Sequence, residues 1–132
     1  MPLTMDEYRL NWALRYIREA ETDLSTAEKN PMPAVSISFA LLAMRKSQTA
    51  VYYSLGDPEY LAPLINQNIE NERKNKDILM RILVQMEQLI ERDSTLAEKL
   101  GKNIIIEETR HLLEIASEIV NIMIKGSEKE SA

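Results

Sequence analysis

The chain has one histidine, His111, which follows Glu108 by three residues in the segment Glu108-Thr109-Arg110-His111. Helical bundles that hold two iron or manganese ions use this Glu-x-x-His spacing, because residues three apart share one face of a helix. Such a centre needs two of these pairs, and this chain supplies one. Because His111 lies at the edge of the apolar stripe of its predicted helix, we expect no metal site. We interpret His111 as a partly exposed residue without a chemical role.

Other catalytic arrangements lack the residues that they require. The sequence has no cysteine, which excludes disulfides, thiolate metal sites and cysteine nucleophiles. No serine lies in a nucleophile-elbow motif, and the three glycines are isolated, so glycine-rich phosphate loops are absent as well. We therefore predict no catalytic residue, no cofactor and no metal ligand, and we assign no cofactor-binding residues.

Composition limits the classes of partner. The 132-residue chain has a net charge of −5 and a sequence pI of about 5.0, which disfavours attraction to nucleic acids and anionic membranes. Arg73, Lys74 and Lys76 form a small basic cluster, but acidic residues surround it. A solvated helix face with ion pairs one turn apart is the favoured interpretation. We therefore predict no nucleic-acid partner.

The sequence also lacks features typical of membrane and secreted proteins. The N-terminus has no basic region followed by an apolar run. The longest apolar run, residues 34–44, is too short to cross a bilayer. Together with the absence of cysteine, these features predict a cytoplasmic protein without membrane contact.

The elements that would position any site are predicted to be helices. Long stretches without proline, few glycines and few aromatic residues favour helices over sheets. Thr4 and Glu7 have the spacing of a capping box, and a helix is predicted from there to about residue 28. A proline-containing turn at residues 30–33 separates it from a second helix over residues 34–55, which ends at Gly56.

Residues 34–55 are predicted to be the central helix. Small side chains recur along it in steps of four and three residues, which places them on one stripe. They are Ser36, Ala40, Ala43, Ser47, Ala50 and Ser54. Small residues let a second backbone approach closely, and the rest of this helix is apolar on nearly every side. We expect it to have neighbours on more than one face.

Residues 57–92 are predicted to form two further helices. Asp57 and Pro58 begin a short one that Pro63 ends or kinks. One long helix follows over residues 65–92, with a polar first half that is solvated or carries a partner surface. A disordered first half is the alternative.

Residues 93–132 complete the predicted fold. Asp93 and Ser94 cap a short turn that closes at Gly101. The last helix starts after residue 103 and stops at Gly126, and a disordered tail follows over residues 127–132. These elements predict one domain of residues 1–126, folded as an all-α, antiparallel up-and-down four-helix bundle with one or two extra short helical turns.

Surplus apolar surface predicts a homodimer. Leu10 and Leu14 lie beyond the arc of the first helix that one bundle core requires. An exposed apolar patch usually marks an interface, and two-fold symmetry is the usual form of a soluble oligomer. In the alternative, the predicted long helix over residues 65–92 folds across these leucines and covers them within one chain.

The first two predicted helices and the last one resemble a known family. Trp12, the pattern Ala20-x-x-Asp23-Leu24-x-x-Ala27 and the alanine- and serine-rich helix from Ser36 to Leu55 resemble the beginning of a HEPN (higher eukaryotes and prokaryotes nucleotide-binding) domain. The last helix, with Ala116 and Ile119-Val120, is similar to the closing helix of such domains. The resemblance implies an up-and-down four-helix bundle, usually dimeric, that works near nucleotides or RNA. Some members are ribonucleases, and others accompany a minimal nucleotidyltransferase.

The sequence departs from the family pattern at two places. Family nucleases carry an arginine, four to six further residues and a histidine, whereas isoleucines occupy residues 104–106 before His111. Many members also carry a Glu-Lys pair and a later lysine in the second helix, where this sequence has Gln48, Thr49 and Tyr52. The resemblance is therefore to a divergent, archaeal member without the nuclease motif.

Two hypotheses on function follow. The first is a non-enzymatic interaction or assembly module, and it depends on the missing catalytic groups and the wide apolar helix faces. The second is a HEPN-type protein that handles nucleotides or RNA, as a nucleotidyltransferase partner or a relative of ribonucleases, and it depends on the resemblance. We expect the first.

Overall fold

The structure is a computed structural model that describes the backbone of residues 5–69 and 77–131 and the side chains of residues 6–69 and 77–128. Within these ranges the chain forms six helices and no strand, so the all-α prediction is confirmed. The helices are α1 (Met5–Lys29), α2 (Pro33–Leu55), α3 (Pro58–Asn68), α4 (Ile78–Thr95), α5 (Ala97–Leu100) and α6 (Lys102–Ser131). The predicted N-cap Thr4 and the basic cluster of Arg73, Lys74 and Lys76 lie outside the described residues.

The turn between α1 and α2 lies at the predicted position. The Asn30 side chain accepts a hydrogen bond from the Met32 backbone N–H, at 2.9 Å, in a local turn. Pro33 then occupies the first position of α2, where its missing N–H costs nothing. At the other end of α2, the Gly56 N–H donates to the Tyr52 carbonyl. The helix predicted over residues 34–55 is therefore confirmed, and it begins one residue earlier than predicted, at Pro33.

The stripe of small residues on α2 is buried along its whole length. Five of its members are fully buried, and Ser54 is 5% exposed. The Ser36 hydroxyl donates to the Ala27 carbonyl of α1, and the Thr109 hydroxyl of α6 lies 3.4 Å from the Ala40 carbonyl. Side-chain contacts with the backbone of a neighbouring helix require the close approach that small residues permit.

The helices α1, α2 and α6 pack against one another, and α4 packs on α2 and α3. Helices α1 and α2 are antiparallel. Trp12, near the start of α1, stacks on Tyr53, near the end of α2, whereas Ser36, near the start of α2, contacts Ala27, near the end of α1. The apolar core is formed mainly by α1, α2, α4 and α6, and its fully buried larger side chains include Met44, Val51, Ile90, Ile105 and Val120. The central position of α2 explains why it is apolar nearly all round.

The predicted single helix over residues 65–92 is wrong. Helix α3 ends at Asn68, and α4 begins only at Ile78. Asp77 is in an extended conformation, and its side chain accepts hydrogen bonds from the backbone N–H groups of Leu79 and Met80, which is the geometry of an N-cap. Pro63 lies inside α3 and does not end it, although Asp57 and Pro58 start that helix as predicted.

The last third of the chain differs from the prediction at two points. Helix α4 continues to Thr95, so Asp93 lies inside it and does not cap the next turn, because its buried carboxylate binds Arg92 instead. The short helix α5 does close at Gly101, whose positive φ of 83° favours glycine. Helix α6 continues through Gly126 to Ser131, and the predicted stop is wrong: one exposed glycine costs a helix only about 1 kcal/mol.

Candidate functional site

Three neighbouring cavities open at one end of the molecule, where the first turns of α1 meet the last turns of α2 and α6. One, of about 350 Å³, is lined by Arg9, Leu10, Leu55 and Ile122 among others. A second, of about 490 Å³, shares Arg9 and Leu55 with it, and a third, of about 180 Å³, shares Leu10. We call this region the open-end surface and define it by Tyr8, Arg9, Leu10, Tyr53, Leu55, Ile122 and Met123.

Apolar side chains dominate the open-end surface and face solvent. Ile122 is 66% exposed and Tyr8 is 51% exposed, and Met123 is exposed as well. Ile122 and Met123 come from the part of α6 that follows its buried stripe, so the chain has no further helix in the described residues to cover them. Arg9 supplies a cation within this surface and forms an ion pair with Asp6 one turn earlier.

The predicted interface residues Leu10 and Leu14 differ in their environment. Leu10 is half-buried and lines two of the three cavities. Leu14 packs against the apolar core and shares the smallest cavity with Ile124 of α6. The chain therefore covers Leu14 in part with α6, whereas Leu10 belongs to the open-end surface.

An aromatic stack adjoins this surface. Tyr53 stacks on Tyr16 with ring centroids 5.6 Å apart and on Trp12 with centroids 6.2 Å apart. Tyr8 packs edge-on against Trp12, and the Arg15 guanidinium lies 5.0 Å from the centre of the Trp12 ring, within range of a cation–π interaction. Burial and the neighbouring Tyr16 raise the pKa of Tyr53. Four aromatic rings and two arginines thus lie on one side of the same end of the molecule.

A signal in the sequence marks most of this stack. Tyr8, Trp12 and Tyr16 are spaced by four residues, which places them on one face of α1. The exposure of Tyr8 shows that this face of α1 continues past the core onto the surface.

A buried polar cluster joins α2 to α4 at the positions that the family resemblance singles out. The Gln48 side-chain amide donates to Glu87 at 2.8 Å and to the Tyr52 hydroxyl at 2.9 Å, and Arg45 donates to the same Glu87 carboxylate. Burial and the Glu87 charge raise the pKa of Tyr52 to about 12. Thr49 lies outside the cluster and donates to the Arg45 carbonyl. The cluster is occupied by its own members, so it fixes α4 on α2 and leaves no open ligand position.

A second polar group joins α1 to α2. Lys46 pairs with Asp23 at 2.8 Å and lies 3.5 Å from Glu19. The hydrogen bond to Asp23 raises the pKa of Lys46, against the opposing effect of its partial burial. In the sequence, Asp23 stands out only through the family resemblance, and Lys46 and Glu87 do not stand out at all, because partners on different helices leave no periodic signal.

Residues 108 and 111 do not form a joint site. The Glu108 carboxylate accepts a hydrogen bond from Arg92 of α4 at 2.6 Å, whereas His111 is exposed to solvent. Among the described residues, no three histidine, cysteine or carboxylate side chains come close enough together to hold a metal ion. The buried serines of α2 donate their hydroxyls to backbone carbonyls, as small packing residues do in helices.

Two further observations bear on the class of protein. No helix in the described part of the chain combines the length and the apolar character that a membrane span requires. Searches of protein-family models, curated proteins and solved structures find no match to this sequence or fold.

Proposed function

We propose that this chain is a non-enzymatic interaction module, a four-helix bundle in which α1, α2, α4 and α6 are the main helices, and that it forms a homodimer through the open-end surface. The observation that carries the proposal is the apolar surface at which the exposed Ile122 and the half-buried Leu10 and Leu55 line one open cavity. A soluble monomer rarely exposes a large contiguous apolar patch, and such patches mark interaction sites.

The composition of the open-end surface fits an interface. Tyrosine, methionine and arginine are enriched at protein interfaces, and tyrosine and arginine also dominate binding energy. Tyr8, Tyr53, Met123 and Arg9 supply these types here. A second copy of the chain is the simplest partner, because two-fold symmetric dimers are the commonest oligomers and bring one patch against itself. The cysteine-free composition is compatible with the cytoplasmic location that we propose.

Multi-angle light scattering over a range of concentrations tests this proposal. We expect a mass of twice the 15.2 kDa of one chain for the wild type. The double variant Leu10→Asp with Ile122→Asp should be monomeric and retain its helical circular dichroism, because Ile122 is exposed and the half-buried Leu10 lies outside the core cluster. Leu42→Asp is the matched control, since Leu42 is 45% exposed on α2 but lines none of the three cavities.

Two results would contradict the proposal. A wild-type mass of 15.2 kDa at every concentration would exclude the homodimer. A dimer that the double variant leaves intact but that Leu42→Asp dissociates would place the interface on another face of α2.

A HEPN-type role with nucleotides or RNA is the second candidate, and the aromatic stack favours it. Nucleobases stack on exposed aromatic rings, with further stabilisation from arginine, and Tyr8, Trp12 and Arg15 present such groups beside a cavity of about 490 Å³. If this role holds, a nucleotide from a panel will raise the melting temperature of the wild type, and Tyr8→Ala will abolish the increase. The absence of a shift with every nucleotide would remove this candidate, and co-purification with a minimal nucleotidyltransferase would support it.

A further inference from the structure

Two carboxyl groups meet where Arg92, near the end of α4, forms an ion pair with Glu108 of α6. Asp93, in the last turns of α4, has a side chain that is 0% exposed. Its Oδ1 atom accepts hydrogen bonds from Arg92, at 3.2 Å from Nε and 3.1 Å from Nη2. The same Nη2 atom donates to Oε1 of Glu108 on α6 at 2.6 Å. One guanidinium therefore lies between two carboxyl groups from different helices.

The second oxygen of each carboxyl group has no donor. Asp93 Oδ2 and Glu108 Oε2 are both buried, and among the described residues no N–H or hydroxyl group donates to either atom. Arg92 Nη2 donates to both side chains, which brings the two carboxyl groups together and within range of a hydrogen bond to each other. Two carboxylate oxygens are both acceptors, so this bond exists only when one of them carries a proton.

We propose that Asp93 and Glu108 hold one proton between them, and that loss of this proton separates the end of α4 from α6. The pair then acts as a pH-sensitive latch. With the proton present, the acid donates to the carboxylate and Arg92 balances the remaining charge. Without it, two negative charges share one arginine, and a fully buried carboxylate oxygen has no donor, which is strongly unfavourable.

The proton belongs mainly to Asp93. Burial, followed by the hydrogen bond and charge of Glu108, raises the pKa of Asp93 from its ordinary 3.8 to about 7. Burial also acts to raise the pKa of Glu108, but its hydrogen bonds with Asp93 and Arg92 outweigh this effect and lower it. The pair follows the rule that like charges in one buried site push two pKa values apart.

Other charged groups near the latch have their own partners or face solvent. On α6, Lys102 donates to the Asn30 carbonyl, and Arg110 pairs with Glu107 and with Glu28 of α1. On α5, Glu98 and Lys99 are both exposed. On α4 itself, Glu87 is bound by Arg45 of α2. His111 is one turn beyond Glu108 on α6 and is exposed, so it requires a control of its own.

The pH dependence has a definite sign. The folded pKa of Asp93, about 7, lies above its ordinary value of 3.8, so the folded protein binds more protons than the unfolded chain between these limits. Stability therefore falls as the pH rises from about 4 to about 7. The folded pKa of Glu108 lies below its ordinary value of 4.5, so the stability that Glu108 contributes is fully present above pH 4.5. Measurements from about pH 5 upward thus report on Asp93.

Thermal unfolding of the wild type and of Asp93→Asn at about pH 5 and about pH 8 tests the latch. Asparagine mimics the protonated acid, because its amide can donate to Glu108 while its carbonyl accepts from Arg92. We expect the wild-type melting temperature to be lower at the higher pH than at the lower pH. The variant should show a much smaller decrease, and it should melt above the wild type at the higher pH. His111→Gln should keep the wild-type pH dependence.

Several outcomes would overturn the proposal. The first is a melting temperature that depends on pH equally in the wild type and in Asp93→Asn. The second is a loss of this pH dependence in His111→Gln. The third is an NMR titration midpoint of the wild-type Asp93 carboxyl near its ordinary pKa of 3.8. The NMR measurement decides the question even if the variant does not fold. Amide exchange, corrected for intrinsic rates, should show loss of protection in residues 96–101 above about pH 7. Unchanged protection there would exclude the separation of α4 from α6.

Discussion

The close packing of α2 predicts that enlarging its small residues will destabilise the fold. Ala43 and Ala50 are both fully buried on the stripe of small residues, on a helix that packs against α1 and α6 on different sides. Replacing either residue with leucine adds three carbon atoms at a fully buried position of the same stripe that brings the Ser36 hydroxyl to the Ala27 carbonyl. The added atoms can be accommodated only by moving a helix or by straining rotamers.

The expected magnitude follows from measured overpacking. Additional methylene groups in a well-packed core cost about 1–3 kcal/mol, so Ala43→Leu and Ala50→Leu should each lower the free energy of unfolding by that amount. For a chain of this length, about 1 kcal/mol corresponds to roughly 3–5 °C in melting temperature. Each variant should therefore melt about 3–15 °C below the wild type, and urea unfolding should show a lower midpoint with an unchanged slope.

Ala34→Leu is the matched control for this prediction. Ala34 belongs to the first turn of the same helix but is exposed, and alanine and leucine have similar helix propensities. The control should melt within about 2 °C of the wild type, since surface substitutions typically change stability by less than 0.5 kcal/mol. If Ala43→Leu and Ala50→Leu have the same melting temperature as the control, α2 is not closely packed at these positions and the reasoning from small residues is wrong.

Two further predictions concern polar residues. Glu87→Gln should lower the free energy of unfolding by about 1–2 kcal/mol, because the neutral amide oxygen accepts the hydrogen bonds of Arg45 and Gln48 more weakly than the carboxylate does. Glu91→Gln, an exposed change on the same helix, should be neutral in the same urea titration. His111→Ala should leave the melting temperature and any measurable RNA-cleaving or metal-dependent activity essentially unchanged, and loss of such an activity would refute our assignment of His111.

Features with a short period in the sequence could be predicted. The six small residues of α2 are spaced at the helical repeat, so their common burial followed from the sequence alone. The turn at residues 30–33 was predicted for the same reason, since prolines restrict the backbone locally. These features depend on neighbours along the chain and require no knowledge of the fold.

Features that depend on distant partners could not be predicted. Gln48 and Glu87 are 39 residues apart, and neither has an unusual neighbour along the chain. Asp93 has the residue type of a helix cap, and only the position of α6 shows that it is buried beside Glu108. Asp77 was assigned to a polar helix face, although the same residue type caps α4 in the structure. An aspartate alone does not distinguish a cap from a helix interior, because both have local hydrogen-bonding solutions.

The two proposals involve different parts of the molecule and can be tested separately. The open-end surface is formed by α1, α2 and α6, which pack on one another, with Pro58 of α3 at the edge of one cavity. The latch joins α4 to the first turns of α6, some fourteen residues before Ile122. Sites this far apart along a helix, about 20 Å at 1.5 Å per residue, should act independently. We therefore expect Asp93→Asn to have the same mass as the wild type in light scattering. The double variant Leu10→Asp with Ile122→Asp should keep the downward trend of melting temperature with pH. A change of mass in Asp93→Asn would show instead that the proton on the α4–α6 pair controls assembly.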